Sequence, residues 1–171
     1  TSFSPGSLVV SDYLNQSGLQ QPLNELGFYV VGYGCATCMG NSGPLSKGIA
    51  EAINDNQLVA VAVLSGNRNF EGRIHPRVAA NFLMSPPLVV AYALAGSITI
   101  DLANEPLGKG SDGQPVFLKD IWPDTSDIKR IVGETILPDL YNRRYEHLSE
   151  GPPEWQGIPS GSGTLFEWDE G

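Results

Sequence analysis

The chain has 171 residues, 41% of them apolar, with 10 basic against 19 acidic side chains and a formal net charge of −9. That length and composition fit one globular domain with a sizeable core. The charge argues against a nucleic-acid surface spread over the chain, no apolar run reaches the ~20 residues that span a bilayer, and two cysteines make no secreted disulfide framework.

Thr1-Ser2-Phe3-Ser4-Pro5 has neither the basic region nor the apolar core of a secretion signal, so a reducing, cytoplasmic compartment is expected. The chain does not open on methionine and reads as a piece of something longer. Pro5-Gly6-Ser7 is a turn, with Ser7 placed to cap a helix carrying Leu8, Val9, Tyr13 and Leu14 and ending near Gly18. Phe28 to Tyr33 is β-rich and reads as a buried strand. A loop with both cysteines, Cys35 and Cys38, follows. Ser42-Gly43-Pro44 then opens a second helix, with Pro44 in its first turn, which runs through Ile49 and Ile53 to the Asn54-Asp55-Asn56 break.

Val59 to Leu64 is the next strand, and it ends in the polar loop Ser65 to Arg73. Pro76 to Met84 is predicted as a helix with Val78 and Phe82 on one side. Ser85-Pro86-Pro87 starts a buried helix over Leu88 to Ala95, ended by Gly96, and Ile98 to Ile100 is a short strand. Gly108 to Pro115 is a turn region, Trp122 is expected to anchor Phe117 to Pro123 by docking back, and a polar helix is predicted from about Thr125 to Tyr145. From Ser149 the chain is rich in Gly, Pro and Ser and reads as a linker, which divides it into residues 1–148 and 149–171. The alternation of strands and helices predicts an α/β fold: a partial three-layer α/β/α domain with a mainly parallel sheet and right-handed crossovers.

Both polar loops follow a strand, at the carboxyl end where open α/β sheets place ligands. If the strands are parallel, two thiols and two guanidiniums meet at one sheet edge. The Cys-x-x-Cys spacing alone leaves several readings open. A redox pair at a helix N-terminus is opposed by Gly40 and Gly43, and a zinc site lacks spaced partners, since His75 and His147 are the only histidines. Ligation of an iron–sulfur cluster and a structural role stand beside these. Arg68 and Arg73, flanked by Asn67, Asn69, Gly66 and Gly72, suggest an anion pocket in an acidic body, each guanidinium able to grip a carboxylate with two parallel hydrogen bonds. His75, ahead of Pro76, reads as a packed or capping residue, and His147 as structural or solvent-exposed.

The stretches Gly34-Cys35-Ala36-Thr37-Cys38-Met39-Gly40-Asn41-Ser42-Gly43-Pro44 and Leu64-Ser65-Gly66-Asn67-Arg68-Asn69-Phe70-Glu71-Gly72-Arg73-Ile74-His75-Pro76 resemble the aconitases, in the bacterial aconitase A and iron-regulatory-protein branch. The segments from Ser85 to Gly96 and from Leu118 to Pro123 extend the match over essentially the whole chain. The resemblance implies part of the third domain of a hydro-lyase of the tricarboxylic acid cycle, with the start of a linker to a C-terminal swivel domain. Such an enzyme interconverts citrate and isocitrate through cis-aconitate at a [4Fe-4S] cluster. It also implies that Cys35 and Cys38 are the second and third cluster ligands, that Arg68 and Arg73 grip substrate carboxylates, and that Asn67 lies beside the cluster. The first cysteine and the serine base would lie outside this chain, which is then incomplete, without a catalytic residue of its own and inactive alone. Its partners would be the substrate and the remaining domains of the same protein. Sister dehydratases, including the 2-methylcitrate branch, match the residues after Cys38 less well. Cluster-free relatives that bind RNA stem-loops supply a different class of function, for which the charge of −9 is unsuited.

Overall fold

The computed structural model describes residues 1–34, 43–66, 74–159, 163–165 and 168. Two units make up the chain, Thr1–Ile136 and Leu137–Gly171. The fold is partial α/β. In the first unit β1 (Ser2–Phe3) pairs with β2 (Tyr29–Val30) in parallel, and β3 (Val61–Leu64) with β4 (Ala80–Leu83) in parallel, while β5 (Gly108–Lys109) and β6 (Pro115–Val116) form an antiparallel hairpin. Each pairing among the described residues is a two-stranded sheet. Parallel pairing dominates, as the strand–helix alternation requires.

Between β1 and β2 the chain forms α1 (Leu8–Gln16) and α2 (Gln20–Glu25). Gly18 and Gly27 stand at positive φ (73° and 82°), where a side chain would crowd the following carbonyl. The amide of Phe28 reaches back to the Leu23 carbonyl (2.8 Å), so the turn delivers the chain directly into β2. Pro5, Val9 and Phe28 are buried. β2 itself is not the buried strand that its composition predicts. Tyr29 is 60% and Val31 51% exposed. A β-rich run is buried only if both sheet faces are covered, and a two-stranded pair offers little cover.

α3 (Lys47–Asp55) ends at the expected Asn54-Asp55-Asn56 break but begins at Lys47, so Pro44 precedes the helix instead of sitting in its first turn. β3 follows, with Leu64 buried. The predicted helix over Pro76 to Met84 is instead a turn followed by β4. Helix propensity at Ala79, Ala80 and Leu83 loses to a four-residue ladder with β3, from Val61↔Ala80 to Leu64↔Leu83. α4 (Pro86–Ala95) matches its prediction closely. Extended Ser85 precedes it, prolines fill its first positions, and Gly96 at φ 71° ends it with its amide on the Tyr92 carbonyl. Its packing is partial: Ala91 is buried, but Leu94 is exposed.

Ile98 to Ile100 form no strand among the described residues. The Gly- and Asp-rich turn holds the β5–β6 hairpin, closed by Gly110 N–H to the Gln114 carbonyl (2.8 Å). α5 (Leu118–Ile121) is a single turn, and Trp122 at its end is 48% exposed, so it does not anchor the segment. One turn followed by Pro123 leaves the indole no apolar surface of its own element to fold onto. The predicted long polar helix divides into α6 (Thr125–Thr135) and α7 (Pro138–Tyr145). Pro138 disfavours the helical conformation at Leu137, which is extended at ψ 149°. In the second unit Leu140 is buried, and α8 (Pro153–Gln156) is a short turn within the predicted linker.

The Asp124 side chain caps α6, accepting from the amides of Ser126 (2.7 Å) and Asp127 (3.0 Å). The Ser126 hydroxyl, with those amides, holds the Asp124 carboxyl below its ordinary 3.8. A lowered folded-state pKa adds stability above the unfolded pKa, and that stability is lost as pH falls through the folded value. Asp124→Ala is therefore expected to lower the melting temperature at neutral pH. The gap from wild type should close below pH 3.8. Thermal melts of both proteins across pH 2–7 check this; a gap independent of pH contradicts it.

Candidate functional site

The five residues singled out by sequence, Cys35, Cys38, Asn67, Arg68 and Arg73, lie outside the described residues. What the structure describes are the stems that carry them. The first stem leaves β2. Ser4 and Pro5, just past β1, run alongside it. Val31 N–H donates to the Phe3 carbonyl (3.0 Å) and Gly34 N–H to the Pro5 carbonyl (2.8 Å). The Ser4 hydroxyl lies 3.3 Å from the Gly32 carbonyl and 3.0 Å from the Gly34 carbonyl, and donates toward both. The Tyr33 hydroxyl meets Ser11 Oγ of α1 at 3.1 Å. The entry to the cysteine loop is thus stitched to neighbouring chain up to the residue before Cys35. Its other end is Gly43, also at positive φ (75°), from which extended chain leads to α3.

The second stem begins at β3, where Leu64 is buried and its carbonyl accepts Met84 N–H (2.9 Å). It returns at Ile74, also buried. His75 then makes a turn: its Nδ1 accepts the Arg77 amide (3.1 Å) and its carbonyl accepts the Val78 amide (3.1 Å). An amide N–H only donates, so Nδ1 carries no proton in this arrangement. His75 is a capping residue, in agreement with its sequence reading. Arg77 Nε makes a longer contact with Asn54 Oδ1 at the end of α3 (3.4 Å), and Ala79 N–H pairs with the Ala60 carbonyl (2.9 Å) to start β4. His147 is exposed, with Nδ1 2.8 Å from Glu150 Oε1.

Each stem leaves the carboxyl end of a strand in a parallel pair, but among the described residues the two pairs are separate two-stranded sheets and do not form the single sheet edge expected from sequence. Sequence reasoning missed Ser4, whose role depends on a contact 30 residues away. The only local signal was a hydroxyl residue immediately before Pro5. An open cavity of about 360 Å³ lies beside the first stem, lined by Ser11, Asn15, Gln20, Asn24, Tyr29, Val30 and Tyr33. Among the described residues no cationic group lines it. Among the described residues, no cluster of three or more His, Cys, Asp or Glu side chains is placed to hold a metal ion. No helix among them is long and apolar enough to cross a membrane.

Residues 1–96 match the model of the aconitase (aconitate hydratase) family. The chain is 54% identical over 169 residues to aconitate hydratase A of Thermus thermophilus, covering 99% of this chain and 19% of that protein. It is 53% identical to aconitate hydratase A of Bacillus subtilis, with the same two coverages, and 51% identical to that of Deinococcus radiodurans over 170 residues. The chain spans about a fifth of the length of these curated relatives.

Proposed function

The chain belongs to the aconitase family, and on that premise we propose that it is part of an aconitate hydratase that interconverts citrate and isocitrate through cis-aconitate. The observation that carries this reading is the 54% identity across 99% of the chain, a span that includes both loops with the residues their chemistry requires. Residues 1–148 are then part of an iron–sulfur domain and residues 149–171 the start of a linker. Remaining domains of the longer protein supply a third cysteine and the base, and the isolated chain is inactive.

The donor set suits a [4Fe-4S] cluster. Two thiols at Cys-x-x-Cys spacing are soft, ionisable ligands appropriate to iron, and a reducing, cytoplasmic compartment keeps them available. Cys35 and Cys38 would hold it. When bound, the cluster supplies a Lewis-acidic iron that helps the substrate hydroxyl depart. The other residues of the chain bind and orient. Arg68 and Arg73 would each grip a substrate carboxylate with a planar fork, which orients the carbon skeleton for loss or addition of water. Asn67 offers an amide beside them for a hydroxyl or carboxylate oxygen. In a chain of net charge −9, the two guanidiniums are local attractors for a tricarboxylate.

The test uses the full-length protein, reconstituted anaerobically with iron and sulfide and offered citrate, isocitrate and 2-methylcitrate. Formation of cis-aconitate from the first two, with iron and acid-labile sulfide bound, is the expected result. Preference for 2-methylcitrate moves the enzyme to the sister branch. Bound iron without dehydration of any of the three overturns the assignment.

A further inference from the structure

We propose that the open cavity lined from α1, α2 and β2 is a binding site for a neutral saccharide. Its volume of about 360 Å³ lies in the range of small-molecule sites and has room for a mono- or disaccharide. The described side chains that line it are all uncharged. An anion meets no cation there and a cation no carboxylate, so the cavity suits a ligand that hydrogen-bonds without carrying a net charge. Ser11 and Asn15 stand one turn apart on α1, and Gln20 and Asn24 one turn apart on α2. Tyr29 belongs to β2, and Tyr33 follows it.

Part of the hydrogen-bonding capacity is used within the walls. Ser11 Oγ meets the Tyr33 hydroxyl at 3.1 Å, and Gln20 Nε2 donates to Asn24 Oδ1 at 3.0 Å. The remainder is open to a ligand. The Asn15 side-chain amide and the Tyr29 hydroxyl have no hydrogen-bond partner among the described residues, and Asn24 Nδ2 keeps both of its protons. Amides and phenols both donate and accept, and adjacent sugar hydroxyls are their complement because each of them also does both. Gln20 Oε1 is buried with no partner among the described residues. A buried acceptor left unpaired costs free energy, and a small turn of the Gln20 side chain toward a donor in the cavity relieves that cost. Tyr29 and Tyr33 are 60% and 47% exposed, which leaves ring surface for the C–H face of a sugar, and an aromatic ring offers that area with little loss of side-chain freedom.

The test titrates full-length protein with glucose and with trehalose and reads binding by saturation-transfer NMR. Binding with a Kd on the order of 1 mM is expected for at least one of the two sugars. Asn15→Ala and Tyr29→Ala should each weaken it by about 5–10-fold, the scale of one lost neutral hydrogen bond. Gln21→Ala, on the same helix as Gln20 but outside the cavity, should leave it unchanged. Alanine at exposed Asn15 favours α1, so that variant keeps its fold and decides the matter even if Tyr29→Ala destabilises β2. Cyclohexanol, a ring with a single hydroxyl, should bind several-fold more weakly than the sugar. Absence of binding by both sugars overturns the proposal. So does an affinity that Asn15→Ala leaves unchanged, or that Gln21→Ala lowers equally. Cyclohexanol binding as tightly as the sugar is apolar adhesion and overturns it too.

Discussion

Cys38→Ser in the full-length protein is expected to lower citrate dehydration by more than about 100-fold, beyond the range seen when only an outer partner of a metal ligand is lost. The substitution exchanges one atom and nearly preserves shape, so folding should be unaffected. The chemistry changes completely. A thiol ionises near neutral pH and gives a soft, polarizable donor, whereas a serine hydroxyl stays protonated and is a poor partner for iron in a sulfide-bridged cluster. Activity, iron, acid-labile sulfide and the visible absorption should be measured on one anaerobically reconstituted preparation. Activity and absorption should fall together. Full activity with no iron bound would refute the cluster reading and return Cys35 and Cys38 to a thiol-redox role, which their spacing alone leaves open.

Two kinds of signal made parts of the fold legible. Strong local punctuation was one. Ser85-Pro86-Pro87 and Gly96 bracket α4 because proline fits a first turn and glycine a left-handed exit, and both conditions are met. Apolar β-branched runs were the other, and they located β3 with its buried Leu64. The errors arose where pairing partners distant in sequence decide. Ala80 to Leu83 could be read as helix because nothing local reveals that Val61 to Leu64 will pair with it in parallel. Trp122 is half exposed where the sequence predicts an anchor, and α7 separates from α6 because of a single proline. The family was legible from the two loops read together, and the comparisons agree with it. The loop residues themselves were named from motif and resemblance. Their stems show the hydrogen bonds that a motif cannot convey, at Ser4 and His75.

Arg73→Lys in the same protein is expected to reduce kcat/KM for citrate by about 10–150-fold, the equivalent of ~1.5–3 kcal/mol for a hydrogen bond to a charged group. Lysine keeps the positive charge, so long-range attraction for the tricarboxylate is retained and the change tests geometry. A guanidinium offers two parallel N–H groups to one carboxylate; an ammonium is a point charge on a flexible stem and cannot fix the plane of the carboxylate. Loss of orientation should lower kcat as well as raise KM, because misaligned substrate spends fewer encounters in the reactive arrangement. Cluster content and absorption should match wild type, since the arginine is assigned to substrate and not to iron. The buried Ile74 and the His75 turn immediately after Arg73 leave the stem intact in the variant, so melting temperature should be unchanged. Unchanged kinetics would place Arg73 outside the substrate site. A lost cluster absorption would make its role structural, and a rise in KM alone would show that the arginine contributes binding shared equally by ground state and transition state.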